Sequence, residues 1–88
     1  MLNMNWQISI TGRAKREMKR IPKDDFARIQ ECIDTMRTNP FVGDLQKLGG
    51  EGYSWRRRLG SYRIIFEVER SEKIIFVTNI LRRASNTY

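Results

Sequence analysis

The stretch Trp55-Arg56-Arg57-Arg58-Leu59-Gly60-Ser61-Tyr62-Arg63-Ile64-Ile65-Phe66 constrains the fold of this chain more than any other. Aromatic and β-branched residues stand on both sides of Gly60-Ser61, and such residues suit a pleated, half-buried surface. A two-residue hairpin turn with glycine leading fits type II′ geometry, which needs a positive φ at its first central position. That turn sets the register: Leu59 faces Tyr62, Arg58 faces Arg63, Arg56 faces Ile65 and Trp55 faces Phe66. Three strands are expected in this region, over Tyr53–Leu59, Tyr62–Glu69 and Lys73–Leu81.

Side-chain alternation sorts these strands onto two faces. One face collects Tyr53, Trp55, Arg57, Leu59, Tyr62, Ile64, Phe66, Val68, Ile75, Val77, Asn79 and Leu81. The other collects Ser54, Arg56, Arg58, Arg63, Ile65, Glu67, Phe76, Thr78, Ile80 and Arg82. The parity of the last strand depends on the turn at Arg70 to Lys73; an even-numbered loop gives this sorting and an odd one reverses it. The first face is apolar enough to be covered by helices, and the second is basic at one end.

Upstream, Trp6, Ile8 and Ile10 alternate with Gln7 and Ser9, as in a short strand. Thr11 is placed to cap a helix whose apolar positions are Ala14, Met18 and Ile21, with Pro22 closing it. Asp24 or Asp25 can cap a second helix carrying Phe26, Ile29, Ile33 and Met36, which Thr38-Asn39-Pro40 stops. From Phe41 to Gly52 the glycines Gly43, Gly49, Gly50 and Gly52 predict a loop, anchored by Phe41, Leu45 and Leu48. No helical pattern follows Gly49-Gly50-Glu51-Gly52, so it is not a phosphate-binding fingerprint. The expectation is one α+β domain over residues 1–88, ordered β-α-α-β-β-β, its sheet mainly antiparallel and both helices on one face.

Seventeen basic residues oppose ten acidic ones, a net charge of +7 that favours a polyanionic partner. The chain has no histidine, which removes Ser-His-Asp and Cys-His triads and histidine-based metal sites. Its single cysteine, Cys32, excludes an internal disulfide and cysteine-rich zinc motifs, and reads as a small helix residue with no redox role. No metal or other cofactor is expected. No apolar run reaches the ~18–20 residues of a bilayer span, and the start Met-Leu-Asn-Met-Asn-Trp lacks a signal-peptide layout. A cytoplasmic protein with no membrane partner is expected.

Like charges directly opposite on a hairpin cost a few tenths to about 1 kcal/mol per pair. Folding alone gives no reason to set Arg58 against Arg63 with Arg56 alongside. A bound anion does, because guanidinium groups grip phosphate through planar forks of donors. Arg57, alone among apolar neighbours on the other face, is expected to snorkel past the helices or to meet Glu31 or Asp34. Arg13, Lys15, Arg16, Lys19, Arg20 and Lys23 make the first helix and the turn after it basic, suited to phosphate contacts without sequence choice.

A strand ending at a Ser/Thr, two helices parted by Pro22, Asn39-Pro40 closing the second and Leu48-Gly49-Gly50 in the loop together resemble the RelE/ParE superfamily of bacterial toxins. The most specific likeness is the segment Trp55 to Phe66, followed by the ending Arg82-Arg83 to Tyr88. The resemblance covers nearly the whole chain. It implies a toxin of a type II toxin–antitoxin system, neutralised by a RelB-like antitoxin. Within the RelE branch it implies endonucleolytic cleavage of messenger RNA in the ribosomal A site.

Metal-independent RNA cleavage uses the 2′-hydroxyl as nucleophile and needs charge stabilisation at phosphorus plus two proton transfers. By the resemblance, Arg63 and Arg82 clamp the scissile phosphate. Arg56 and Arg58, at positions commonly lysine in the RelE branch, stabilise charge or lower a tyrosine pKa. Tyr88 matches the C-terminal tyrosine proposed as general base or stacking group, and Arg13, Arg16, Lys19, Arg20 and Arg83 are expected to contact ribosomal RNA. Arginine does not readily donate a proton, so the leaving oxygen takes one from water. Two other functions fit the same residues: a ParE-like inhibitor of DNA gyrase without nuclease activity, or a basic RNA-binding module that catalyses nothing.

Overall fold

A computed structural model of the chain describes residues 6–49 and 54–82. The element order is β1 (Gln7–Ile10), α1 (Gly12–Lys19), α2 (Lys23–Thr35), β2 (Asp44–Leu48), β3 (Ser54–Leu59), β4 (Tyr62–Glu69) and β5 (Ile74–Arg82). The five strands form one sheet in the order β1-β5-β4-β3-β2, antiparallel except where β1 runs parallel to β5. The α+β class, the leading strand, the two helices on one face and the β3–β4–β5 meander follow the expected plan. Tyr53, and the glycines Gly50 and Gly52, lie outside the described residues.

The hairpin turns at Gly60-Ser61 in the expected register, with Arg58 opposite Arg63. Gly60 has φ +60° while Ser61 stays out of the positive region, the pattern a type II′ turn requires. The β4–β5 loop spans four residues, since Glu69 pairs with Ile74. Its Glu69 carboxylate accepts from the Ser71 backbone N–H at 3.0 Å and from the Ser71 hydroxyl, and these bonds hold that carboxyl below its ordinary pKa.

Thr11 caps α1, its Oγ1 accepting the Ala14 N–H at 3.2 Å. In α2 the cap position is Pro22, which makes no side-chain cap bond; Asp24 and Asp25 lie instead in the first turn, where carboxylates meet the positive end of the helix dipole. Ala14 and Met18 of α1 and Ile29, Cys32, Ile33 and Met36 around α2 are buried against Tyr62, Ile64, Phe66, Val68, Ile75, Val77 and Ile80 of the sheet. Full burial of a side chain such as Phe66 or Ile64 contributes about 1.5–3 kcal/mol. Phe26 does not join this core: it is 38% exposed, because α2 turns its Ile29–Ile33–Met36 stripe inward. The Cys32 thiol is raised in pKa, chiefly by burial, which keeps it an unreactive thiol.

Three further features depart from the sequence expectation. First, the segment read as a loop contains β2, an edge strand paired with β3 from Asp44↔Arg58 to Leu48↔Ser54. Its residues, Asp-Leu-Gln-Lys-Leu, carry little β propensity, and pairing with β3 supplies the order that propensity does not. Second, Arg57 meets neither Glu31 nor Asp34; its Nη1 donates to the Val42 carbonyl at 2.8 Å, tying the start of β2 to β3. Third, the register of β4 against β5 shifts between Ile65 and Phe66, leaving Thr78 as the extra residue of a β-bulge.

Gly43 has φ +98° and lies against the Arg57 guanidinium, so a Cβ there would strike that group. Gly43→Ala is therefore expected to lose about 1–3 kcal/mol of stability, measured as a lower urea midpoint at unchanged slope; an unchanged midpoint contradicts the contact.

Candidate nucleic-acid interface

The helices cover one face of the sheet and leave the other open. Across the open face the register aligns Asp44, Arg58, Arg63 and Leu81 in one row, and Gln46, Arg56, Ile65 and Asn79 in the next. Opposed residues on paired strands have Cβ atoms only ~4.5–5.5 Å apart, so Arg56, Arg58 and Arg63 form a compact cationic group. The ion pairs among the described residues are Arg13–Glu17 at 3.8 Å, Arg28–Asp25 at 3.6 Å and Arg37–Asp34 at 3.8 Å; none uses an arginine of this group. The Arg56 Nε is buried and has no hydrogen-bond partner among the described residues. Permanently charged, unneutralised forks of donors on a solvent-facing sheet are what an incoming phosphate requires.

The bulge at Thr78 changes which residue of β5 joins this group. Up to Val77 the parity is the expected one; beyond it Ile80 turns inward and is 4% exposed, while Asn79 and Leu81 turn outward. Arg82 pairs with Tyr62 instead of lying beside Arg63, and its guanidinium carbon sits 5.8 Å from the centre of the Tyr62 ring. The expectation that Arg82 shares a face with Arg56, Arg58 and Arg63 is thus corrected. An inserted residue reverses every side chain beyond it. Leu81, 42% exposed, takes the place in the row.

Bonds to α1 hold this end of β5. β1 ends at Ile10↔Val77, so beyond that point the outer edge of β5 has no strand partner among the described residues. Thr11 Oγ1 donates to the Thr78 carbonyl at 3.2 Å, and a Glu17 carboxylate oxygen accepts the Ile80 N–H at 2.7 Å. Arg13, Arg16, Lys19 and Arg20 are exposed on α1, the helix bonded to the outer edge of β5. Arg83 and Tyr88 lie outside the described residues. Asp44 and Gln46 join the open face through β2, a strand with no period-two apolar pattern to announce it.

Tyr62 is buried on the helix-covered face of the sheet, and its hydroxyl donates to Asp25 Oδ2 at 2.8 Å. Burial first, then the bond to Asp25 and its charge, raise the Tyr62 pKa, against smaller lowering by Arg82 and Arg28. A phenol held protonated in this way is a structural tie between α2 and β4 and is unsuited to act as a base.

A sequence profile of the family described as "ParE toxin of type II toxin-antitoxin system, parDE" matches residues 8–87. A Methanocaldococcus jannaschii protein that carries a RelE toxin name is 29% identical over 83 residues, spanning 91% of this chain and 92% of that one. The fold is similar to that in the crystal structure of the archaeal RelE–RelB complex from Pyrococcus horikoshii OT3, with a TM-score of 0.82, 27% identity, and 91% and 97% of the two chains covered. The isolated RelE toxin of E. coli shares the fold at a TM-score of 0.79 and 15% identity, over 93% and 88% of the chains.

Two outcomes are expected. Arg58→Thr, which removes the like-charge opposition and puts a β-branched residue on the strand, should raise stability by about 0.2–1 kcal/mol in denaturant melts; a loss of stability contradicts the repulsion. Because the Tyr62 pKa is raised on folding, its contribution is fully present below the ordinary tyrosine range near ~10 and is lost as pH rises through the higher folded value. The stability difference between wild type and Tyr62→Phe should therefore be constant from pH 7 to about 9 and shrink at higher pH; a difference that stays level would refute the shift.

Proposed function

Because this chain belongs to the ParE toxin family of type II toxin–antitoxin systems, we propose that it is the toxin of such a pair and acts as an endoribonuclease on messenger RNA at the ribosome. The observation that carries the reading is the Arg56–Arg58–Arg63 group on the open face, unneutralised by any carboxylate ion pair among the described residues. This proposed toxin domain spans residues 1–88, works in the cytoplasm and needs no cofactor.

In this mechanism the substrate 2′-hydroxyl attacks the adjacent phosphate. Arg63 and Arg58 hold the non-bridging oxygens, and Arg56 beside them stabilises the charge that builds on phosphorus. Three fixed cations also restrict the phosphate to one orientation, which favours in-line attack. Tyr88 is assigned the base role by its resemblance to the family's C-terminal tyrosine. Arg82 reaches the phosphate only by leaving the Tyr62 ring and swinging around the end of β5, so its role is assigned to the bound state. Water protonates the departing 5′-oxygen, because arginine keeps its proton. The basic face of α1 (Arg13, Arg16, Lys19 and Arg20) and Arg83 anchor the protein on ribosomal RNA through phosphate contacts.

The antitoxin partner is supported by the similar archaeal toxin, which is paired with RelB in its crystal structure. An acidic, RelB-like segment would neutralise part of the +7 charge. The family's ParE name favours a second reading, inhibition of DNA gyrase by binding alone. The clustered guanidinium groups of Arg56, Arg58 and Arg63 support the nuclease reading, because they suit the charge that builds on phosphorus during cleavage.

Cell-free translation with mapping of message ends tests the proposal. Wild-type protein should cut message at the A site, and Arg63→Ala should cut at least about 100-fold more slowly with an unchanged circular dichroism spectrum. Intact message alongside trapped gyrase–DNA breaks would establish the second reading instead.

A further inference from the structure

Past the arginine group the open face changes character. Its third row is Leu48, Ser54, Glu67 and Phe76, aligned by the same register that sets the two rows before it. Ile65 and Phe76 are half-buried and lie outside the hydrophobic core, so they present apolar surface on this face. A shallow cleft of about 330 Å³ opens here, lined by Glu67, Val68, Glu69 and Phe76. That is the small end of ligand pockets, ~300–1,000 Å³, with room for a single nucleobase.

The two carboxylates at this cleft differ in their commitments. Glu69 is taken by the Ser71 backbone N–H at 3.0 Å and by the Ser71 hydroxyl. Glu67 is exposed and forms no ion pair among the described residues, and its cross-strand neighbours Ser54 and Phe76 carry no charge. A polyanion crossing this face would be repelled by Glu67, so a carboxylate here favours binding only where it accepts from donors on the ligand. The cleft therefore sets a pair of acceptor-only oxygens beside an apolar floor. That arrangement complements a flat, uncharged group with two neighbouring N–H donors on its rim.

Spacing along the sheet identifies that group. Consecutive rows lie two residue rises apart, ~6.8 Å. The centre of the Arg56–Arg58–Arg63 group falls between the first two rows, which puts Glu67 about one and a half rows away, ~10 Å. A nucleotide spans such a distance from its phosphate to the Watson–Crick edge of its base. Guanine sets two donors, N1–H and N2–H, side by side on that edge, whereas adenine, cytosine and uracil place an acceptor next to each donor. We propose that Ile65, Phe76 and Glu67 form a base subsite on the open face. The nucleotide whose phosphate the arginines hold lays its base over Ile65 and Phe76, and Glu67 accepts from the paired donors of a guanine. An acceptor in their place meets the carboxylate's negative charge, which makes Glu67 a specificity-determining residue. This inference rests on the RNA reading of the arginine group and adds a choice of base to it.

Cell-free translation with the full chain, on messages that differ only in one base beside the cut, tests the subsite. Wild type should cut messages with guanine at one of the two flanking positions about tenfold faster than those with uracil there, the scale of one bidentate base contact. Glu67→Gln, at an exposed position where folding is not at stake, replaces one acceptor by a donor. It should abolish the guanine preference and move it toward adenine, whose donor and acceptor match an amide. Phe76→Thr, which keeps a β-branched residue on the strand but removes the aromatic floor, should slow cutting at guanine sites severalfold, with an unchanged circular dichroism spectrum. No base preference in the wild type, or a variant that cuts as the wild type does, overturns the subsite. An intact preference together with weaker binding of an antitoxin peptide by Glu67→Gln overturns it in favour of a protein ligand. Message left whole by the wild type overturns the RNA reading itself, so the two failures are distinguishable.

Discussion

Everything on the open face depends on the register of the β3–β4 hairpin, and that register is held from the opposite side of the sheet. Along β4 the inward residues Tyr62, Ile64, Phe66 and Val68 are all 5% exposed or less, while Arg63, Ile65 and Glu67 alternate outward. A one-residue slip would place Arg63 in the core and expose Ile64 and Phe66, losing several burial terms of about 1.5–3 kcal/mol each. The repulsion between Arg58 and Arg63 is smaller by comparison. The hydrophobic face thus holds together cations that would otherwise separate, and β3 and β4 deliver them as a fixed group.

A second device acts at the far end of the sheet. β1 covers only the first part of β5, so the remaining edge would present unpaired backbone groups. Thr11, whose hydroxyl both caps α1 and donates to Thr78, and Glu17, whose carboxylate accepts from Ile80, take the place of a strand partner. The same short helix therefore fills the core with Ala14 and Met18, secures the edge and carries basic residues outward.

How much of this was legible can be followed residue by residue. Gly60-Ser61 was readable because a two-residue turn has few allowed geometries, each with its own residue requirement. Thr11 was readable because capping is local, resolved within three residues. Asp25 was not: its hydroxyl partner is Tyr62, 37 positions away, and nothing near it in sequence announces that bond. Phe26 fits the apolar spacing of α2 but falls on its rim, since periodicity fixes a stripe and leaves its width to packing. β2 escaped notice because an edge strand is ordered by its neighbour; Arg57 reaching Val42 is part of that same non-local tie.

By itself the sequence determined the fold class, the hairpin and the convergence of Arg56, Arg58 and Arg63, because each follows from local turn geometry and a period of two or 3.6. Only the tertiary structure decided the facing of Asn79, Ile80, Leu81 and Arg82 and the extra strand at Asp44–Leu48. The physical reason is the bulge: an inserted residue at Thr78 leaves no compositional mark, since Thr78-Asn79-Ile80-Leu81 reads equally well with either parity. It is stabilised by partners distant in the chain, Thr11 and Glu17, that meet β5 only once α1 has packed against the sheet.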